Sequence, residues 1–572
     1  MSQQLRVVDW FAHLLVLEGI EYVFTVPGGT EVPLLQAISR HPSIRVVVSK
    51  DEAGAAFAAD GYAWASGKPG VVVTIGGPGA TNTLTGLACS ASQGNAVLLV
   101  SGEVSTSSMG RRAVQDSSDL GLDALGMSRP ATALSVSAST PEKAQFALLE
   151  AFRLLAQRTR PVHLAIPLDV QTALLASAPP SSVGEYRAAR AELVDLGAIR
   201  SAASLLCQAE RPALLLGRGA LHATREIREL AEMLGCPVAT TCGAKSAFAE
   251  THPLSVGVFS FGSGPLARAA LTREVDVLLA VGTALGEFAS MNFSPSLRPK
   301  RALIHVDRDA AVVGRNYPAL AVAGDARATL IELIQALRGA ERRPNLGWPR
   351  ELQREHPRVV DEAQTHSSAT PMRPERVMRE LESALPHDAC VIADIGTSCL
   401  WVAHYLKLAP PQRCYIPMAW SCMAHPLAAS IGVRVGSGQP TVCVTGDAAF
   451  LSKGLELHAA VEARLSRFVW IVLSNRGHGL VKLGTEKLLG KDHGVEAGDF
   501  RVIPDAAAVA RALGARAFSI EEPSAFAPAL VEAFAADGPV VLDVRVEPSA
   551  EPPMADRIQG LKNGTEAQGN RA

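Results

Sequence analysis

Little in this chain of 572 residues points toward a charged polymer or a membrane. Lys plus Arg (54) nearly balance Asp plus Glu (56), the formal net charge is -2, and no basic block interrupts the sequence. Nucleic acid and anionic lipid are therefore not expected partners. No apolar run reaches the roughly 18 to 20 residues that a membrane span requires. The opening stretch MSQQLRVVDWFAHLL lacks the basic flank, long apolar core and small-residue cleavage site of a secretory leader. The nine cysteines are odd in number, scattered and without a CxxC pair, which argues against a disulfide framework or a zinc site. A reduced, cytoplasmic setting is the expectation.

What the chain does have is core. Hydrophobic residues make up 48% and charged residues 19%, and a chain of this length divides into about two to four domains. Apolar, β-branched runs alternate with Ala/Leu-rich helical stretches. Candidate strands are 70–75, 96–102, 162–167, 212–217, 275–282, 302–307, 389–396, 441–447, 467–475 and 539–546. Continuous apolar strands separated by helices predict parallel sheets covered on both faces. Two Pro-bearing polar stretches, 176–192 and 339–358, read as linkers. The predicted organisation is α/β, with three doubly wound parallel-sheet domains at 1–175, 191–340 and 371–550, and a flexible tail at 551–572.

One stretch carries chemistry on its face. VTGDAAFLSKGLELH (444–458) closes an apolar strand with Gly446 and Asp447, then continues into helical spacing. In open α/β sheets, ligands sit beyond the carboxyl ends of strands. Gly446, Ala448 and Ala449 carry almost no side chain, so an anion can approach the backbone N–H groups at the helix start. A carboxylate beside such a cradle invites Mg²⁺, which takes oxygen ligands that often include phosphate. The next strand ends at Asn475, whose amide oxygen suits, and Gly477 leaves its carbonyl free to turn inward. Taken alone, Asp447 reads equally as a helix cap.

The spacing from Gly446-Asp447 to Asn475 resembles the diphosphate-and-metal motif of thiamine diphosphate (ThDP) enzymes, with Ser474-Asn475 where Asn-Asn is usual. That resemblance implies Asp447, Asn475 and the Gly477 carbonyl as metal ligands. ThDP also needs a carboxyl group on its aminopyrimidine, to favour the imino tautomer that takes the proton from the thiazolium C2. Residues 46–82, VVVSKDEAGAAFAADGYAWASGKPGVVVTIGGPGATN, closely resemble the N-terminal block of the acetolactate synthase-like (acetohydroxyacid synthase-like) family and supply Glu52. Asp51 stands where that family has His, and Trp64 where it has Arg. A helix-start acid on the surface is the bland alternative for Glu52.

Over most of the chain other segments follow the same family order. Gly28 and Gly29 match a Pro-Gly-Gly loop that approaches the reacting carbons. Gln115 keeps a substrate-facing amide, while Val114 replaces an aromatic wall and SSDLG (117–121) looks inserted. In 418–432, Met423 matches the side chain that bends the coenzyme, with the Ser421 carbonyl on the aminopyrimidine; a buried core Met is the alternative. Gly396, Thr397 and Ser398 match a diphosphate loop, and Pro78 and His478 fall among the expected cofactor contacts. His425 and His478 are candidates to face substrate, or else histidines satisfied by neighbours. A GxGxxA pattern at 262–267 is weak, and 281–288 lacks the Arg and paired Asp of flavin-binding members, so FAD is not expected although 214–220 keeps the question open.

The resemblance thus implies a ThDP- and Mg²⁺-dependent enzyme that decarboxylates a 2-oxo acid, pyruvate by default, and passes the acyl unit to a second carbonyl compound, with the altered 114 region hinting at specialised metabolism. It also implies a homodimer or homotetramer with active sites at subunit interfaces. The rival readings are a 2-oxo acid decarboxylase, an acetyl-phosphate-forming transferase, and a non-catalytic ThDP-fold regulator. The intact Glu52, Asp447 and Asn475 argue against the last.

Overall fold

The computed structural model describes residues 4–157, 160–189, 192–339, 345–490, 498–554 and 558. The expected tail lies almost wholly outside them. Among the described residues, eighteen strands form three six-stranded sheets in which all neighbours run parallel.

The first sheet contains β1 (Tyr22–Val26), β2 (Arg45–Val48), β3 (Gly70–Ile75), β4 (Val97–Glu103), β5 (Leu134–Ser137) and β6 (Val162–Pro167), ordered β2-β1-β3-β4-β6-β5. The second contains β7 (Pro212–Leu216), β8 (Val238–Thr240), β9 (Ser255–Val258), β10 (Val277–Val281), β11 (Ala302–Asp307) and β12 (Leu320–Ala323), ordered β12-β11-β10-β7-β8-β9. The third contains β13 (Cys390–Ala393), β14 (Arg413–Tyr415), β15 (Thr441–Gly446), β16 (Phe468–Ser474), β17 (Arg516–Ile520) and β18 (Val540–Arg545), ordered β14-β13-β15-β16-β18-β17. The first and third sheets therefore repeat one strand order. The middle one has the dinucleotide-type order 3-2-1-4-5-6.

All ten apolar runs read from the sequence are interior strands, fully buried along most of their length. The six sheet edges, β2, β5, β9, β12, β14 and β17, carry no such run. The second expected linker is only partly one: Gly347–Glu355 is a helix whose Trp348 and Leu352 are buried in the middle-block core.

Two helices join the outer blocks. Glu52–Ser66 starts on Asp51, whose carboxylate accepts from the Gly54 N–H at 2.7 Å, and ends at Gly67 in the left-handed region (φ 73°). It packs along His425–Ser437 at very close range. A Cβ on Gly61 would stand 2.1 Å from the Ala429 carbonyl oxygen, and one on Gly432 1.8 Å from that of Ala58. Small residues at both surfaces permit this approach, and one continuous core runs from Phe24 and Val72 to Ile392, Cys443 and Trp470. Phe57 meets His425 and Ala53 packs near Cys422, so the two helices start at the same end of the pair. The carboxyl ends of the first and third sheets open at that end.

Candidate active site

In the third sheet the chain reverses its winding between β13 and β15, the position where such sheets bind ligands. β13 delivers Asp394 there, and β15 delivers Asp447 at the first turn of helix Asp447–Lys453. Gly396 (φ 126°) sits in open space before helix Thr397–Tyr405. A Cβ on Gly446 would lie 3.9 Å from Ser398 Oγ, and one on Gly479 3.7 Å from the Thr397 methyl. Gly396, Thr397, Ser398, Gly446, Ala448, Ala449, Asn475 and Gly477 are thus brought to one mouth, lined by small side chains and helix starts.

Asp447 is buried, its Oδ1 accepting from Ala448 N–H at 2.8 Å and its Oδ2 from Arg476 N–H at 2.7 Å. Burial pushes its pKa up to about 6 against the pull of the Arg476, Ala448 and Gly477 N–H groups. The Asn475 amide points one terminal atom at both Gly477 O (2.9 Å) and Asp447 Oδ1 (3.3 Å). With nitrogen there, the amide donates to both. With oxygen there, three oxygens converge, an arrangement that a cation would stabilise. Neighbouring oxygens of a Mg²⁺ octahedron, with Mg–O of about 2.1 Å, lie about 3 Å apart, which matches. The Asp447 carboxylate, the Asn475 amide oxygen and the Gly477 carbonyl make an oxygen-only, hard donor set. The residues present fit a diphosphate bound through Mg²⁺.

Asp394 was not singled out from the sequence. Fully buried, it accepts from Ile395 N–H (2.7 Å), Ala424 N–H (2.9 Å) and Thr445 Oγ1–H (2.6 Å), and burial pushes its pKa up to about 6. One carboxylate thereby ties the diphosphate loop to the loop carrying Met423. An Asp at a strand end before Gly396 was the available signal. The Met423 loop is held in unusual backbone: Ser421 (φ 53°) and Ala424 (φ 67°) are left-handed, and Ser421 Oγ–H donates to Met418 O at 2.6 Å. Met423 is 40% exposed, so the buried-core reading of this side chain fails and it is free to meet a ligand.

The first sheet reverses between β1 and β3 and presents the remaining candidate residues. Glu52 is half-buried at the first turn of its helix; its Oε2 accepts from Asn82 Nδ2–H at 2.9 Å, and a Cβ on Gly79 would approach Oε1 to 3.4 Å. Pro78 begins the adjoining helix turn, exposed. Gly28 N–H donates to the buried Glu31, whose pKa burial raises; Gly29 has open space around it. Gln115 (φ 63°) lies against Gly77, and Val114 beside it is exposed. SSDLG forms a turn in which Ser117 Oγ–H donates to Glu103 Oε2 and Ser118 bonds Asp116.

The histidines separate. His425 does not face substrate: it is buried, its Nε2 3.0 Å from Asp60 Oδ2, and Asp60 also takes hydrogen bonds from Tyr415 and Asn95. His478 is half-buried at the cradle rim, packed edge-on against Phe500, and its backbone N–H donates to Gly498 O at 2.7 Å.

The middle sheet's reversal point, between β7 and β10, opens on a cavity of about 1700 Å³ lined by Arg218, Gly282, Asp307 and Arg308 and closed by Trp64, Gln93 and Arg413 of the outer blocks. Arg218 is the residue after Gly217 in the 214–220 stretch. The GxGxxA pattern lies elsewhere, as a packed turn: a Cβ on Gly264 would stand 1.8 Å from Arg358 O.

Three parallel-sheet blocks, with an oxygen-lined diphosphate cradle on the third and a helix-start glutamate on the first, define a ThDP enzyme. Family models agree block by block: the thiamine pyrophosphate enzyme N-terminal TPP binding domain matches residues 5–122, the central domain 199–333, and the C-terminal TPP binding domain 394–544. The chain is 30% identical to a probable acetolactate synthase large subunit of Methanocaldococcus jannaschii, over 94% of this chain and 92% of that one. It is 31% identical to a putative acetolactate synthase large subunit of Mycobacterium tuberculosis (94% and 96% covered). A probable 2-ketoarginine decarboxylase of Pseudomonas aeruginosa is 31% identical (84% and 83% covered). The chain belongs to the acetolactate synthase-like family of ThDP-dependent enzymes.

Proposed function

We propose that this enzyme is a Mg²⁺-dependent carboligase, which decarboxylates a 2-oxo acid, pyruvate by default, and joins the acyl unit to a second carbonyl compound. The convergence of Asp447, Asn475 and the Gly477 carbonyl at 2.9 to 3.3 Å supports the Mg²⁺ part of this reading, and Gln115 together with the likeness to acetolactate synthase large subunits supports ligation. When bound, ThDP supplies a nucleophilic carbanion and an electron sink for loss of CO₂.

The chain's own residues do the rest. Asp447, Asn475 and Gly477 hold the metal, while the N–H groups at the start of helix Asp447–Lys453 and the Gly396–Ser398 turn receive the diphosphate. Met423 and the Ser421 carbonyl orient the aminopyrimidine. Glu52, steadied by Asn82, holds a proton on the ring nitrogen. Gly28, Gly29 and Gln115 border the space for the reacting carbons, where walls that exclude water strengthen each polar contact.

A homodimer or homotetramer is part of the proposal. Trp420, Leu451, Leu455 and Val481 stand exposed on the segments that carry the cradle residues, and large exposed apolar side chains support an interface there. FAD stays outside the proposed cofactor set; the cavity at Arg218 is where it would bind. Likeness to the 2-ketoarginine decarboxylase supports a second reading, decarboxylation alone, acting on a longer 2-oxo acid.

The test is incubation with ThDP, Mg²⁺ and a panel of 2-oxo acids, with and without aldehyde or 2-oxo acid acceptors, followed by mass spectrometry. Ligated products support the proposal; CO₂ with free aldehyde alone supports the second reading; no CO₂ from any 2-oxo acid refutes both. Glu52→Gln is expected to lose at least 100-fold in rate, and parental turnover would remove Glu52 from its role.

A further inference from the structure

The turn that presents Glu52 is not held by its own block alone. Glu456, from the short turn after helix Asp447–Lys453, reaches across from the third block. Its Oε1 accepts from the backbone N–H of Lys50 (2.9 Å) and of Asp51 (3.1 Å), the two residues before Glu52. The side chain is buried, and its second oxygen has no partner. Residue 54 is a glycine where this contact needs one: a Cβ there would stand 2.1 Å from Glu456 Oε1.

A second cross-block contact flanks the first. Lys453 Nζ–H donates to the Asp51 carboxylate, the same carboxylate that caps the Glu52 helix through Gly54 N–H. Asp51 occupies the position where the resembled family has His, so this ion pair belongs to the present chain's own variation. Partly exposed, with side chains 21% and 37% accessible, the pair contributes little by itself. The Glu456 bonds are buried and charge-assisted, and removing their acceptor would leave two N–H groups unsatisfied.

We propose that Glu456 is a positioning residue for Glu52: by fixing the Lys50–Asp51 peptide groups from the opposite block, it sets where the helix starts and so where the Glu52 carboxyl meets the coenzyme. Burial pushes the Glu456 pKa up to about 7, with Lys50, Asp51 and Lys453 as the charged groups around it. Such a cost is understandable if the carboxylate is retained for its geometry.

The proposal rests on the role given to Glu52 above, and the test keeps the two apart. Four full-length proteins, parent, Glu52→Gln, Glu456→Ala and Glu456→Gln, are loaded with ThDP and Mg²⁺, and exchange of the thiazolium C2–H with D₂O is timed by acid quench and NMR. Amide hydrogen exchange across 46–57 is measured on the same proteins without coenzyme. Glu456→Ala is expected to slow C2–H exchange at least tenfold, to lower kcat with KM for the 2-oxo acid nearly unchanged, and to speed amide exchange at 50–54. Glu456→Gln, which keeps an acceptor oxygen, is expected to recover most of each loss. Gly54→Ala, which displaces Glu456 while leaving both carboxylates in the chain, is expected to copy the alanine variant. If Glu52→Gln slows C2–H exchange and Glu456→Ala does not, positioning by Glu456 is wrong. If Glu52→Gln itself leaves exchange unchanged, the role of Glu52 is wrong and the proposal falls with it.

Discussion

Replacing Gly61 by alanine sets two effects against each other, and the structure decides between them. Helix propensity favours alanine by about 1 kcal/mol in a helix interior. The new methyl, however, would stand 2.1 Å from the Ala429 carbonyl oxygen, where real Cβ contacts are not found below 3.0 Å. The obstacle is backbone on the partner helix, so no side-chain rotation relieves it. The two helices must part by roughly 1 Å, and a gap of that size forfeits about a quarter to a half of the dispersion energy along the contact. Overpacking of a tight core costs about 1–3 kcal/mol, and this contact, being helix against helix, belongs at or above the upper end. A net loss of about 2–3 kcal/mol is therefore expected for Gly61→Ala. Gly432→Ala, aimed at the Ala58 carbonyl from the other side, should do the same. Gly484→Ala is the control: it lies within helix Gly479–Leu489 with nothing within 4 Å of the new methyl, and should be neutral or stabilising by up to about 1 kcal/mol. Thermal unfolding by circular dichroism and coenzyme affinity by tryptophan quenching are the assays. A Gly61→Ala protein melting at or above the parental temperature would refute the close-packed interface.

Asp447→Asn keeps the shape and removes the charge, and should raise the Mg²⁺ concentration for half-maximal ThDP binding at least tenfold, read by isothermal titration; an unchanged value removes Asp447 from the metal site. Two buried histidines should each contribute acid sensitivity below about pH 6.5. His163, between the Ser101 and Ser128 hydroxyls, is pushed down to about 3 by burial, and His404, between Gly262 O and Val360 N–H, to about 4. Both stay neutral in the folded chain, whereas the unfolded chain takes up their protons below about 6.5, so the contribution of each is complete above that pH and falls by about 2 kcal/mol by pH 5. The buried carboxyls of Asp394, Asp447 and Glu456, pushed up to about 6, 6 and 7, act in the opposite sense, since the folded chain takes up their protons first, so the histidine part is read as a difference: His163→Gln and His404→Gln should each lose less melting temperature than the parent between pH 7 and pH 5, and an unchanged pH dependence would contradict this. Protein purified without added flavin is expected to show no flavin absorbance; a yellow protein would place FAD in the cavity at Arg218.

Interior strands were legible because burial on both faces writes itself as continuous apolar residues, as in β3 and β16. Edge strands such as β2 and β17 bury only one side, and their mixed residues hide among loops. Interior β8, three residues long, was too short to register. At the site, the convergence of Asp447, Asn475 and Gly477 was readable because it depends on position along one strand-helix-strand unit. Asp394 and Glu456 were not, since their partners, Ala424, Thr445, Lys50 and Asp51, adjoin them only once distant segments pack. The two readings of His425 could not be separated in the sequence for the same reason: following a cofactor loop in sequence, it turns inward to Asp60, as a histidine satisfied by its neighbour.

The shared strand order of the first and third sheets has a historical consequence. Two like halves, clasped about one glycine-lined seam, are what duplication of a single ancestral module would leave behind. Such a twin would once have borne identical groups at both helix starts. Here the twins have diverged: the helix after the second strand opens with Glu52 in one and with the buried His425 in the other, and only the latter twin sets a carboxylate, Asp447, straight after its third strand.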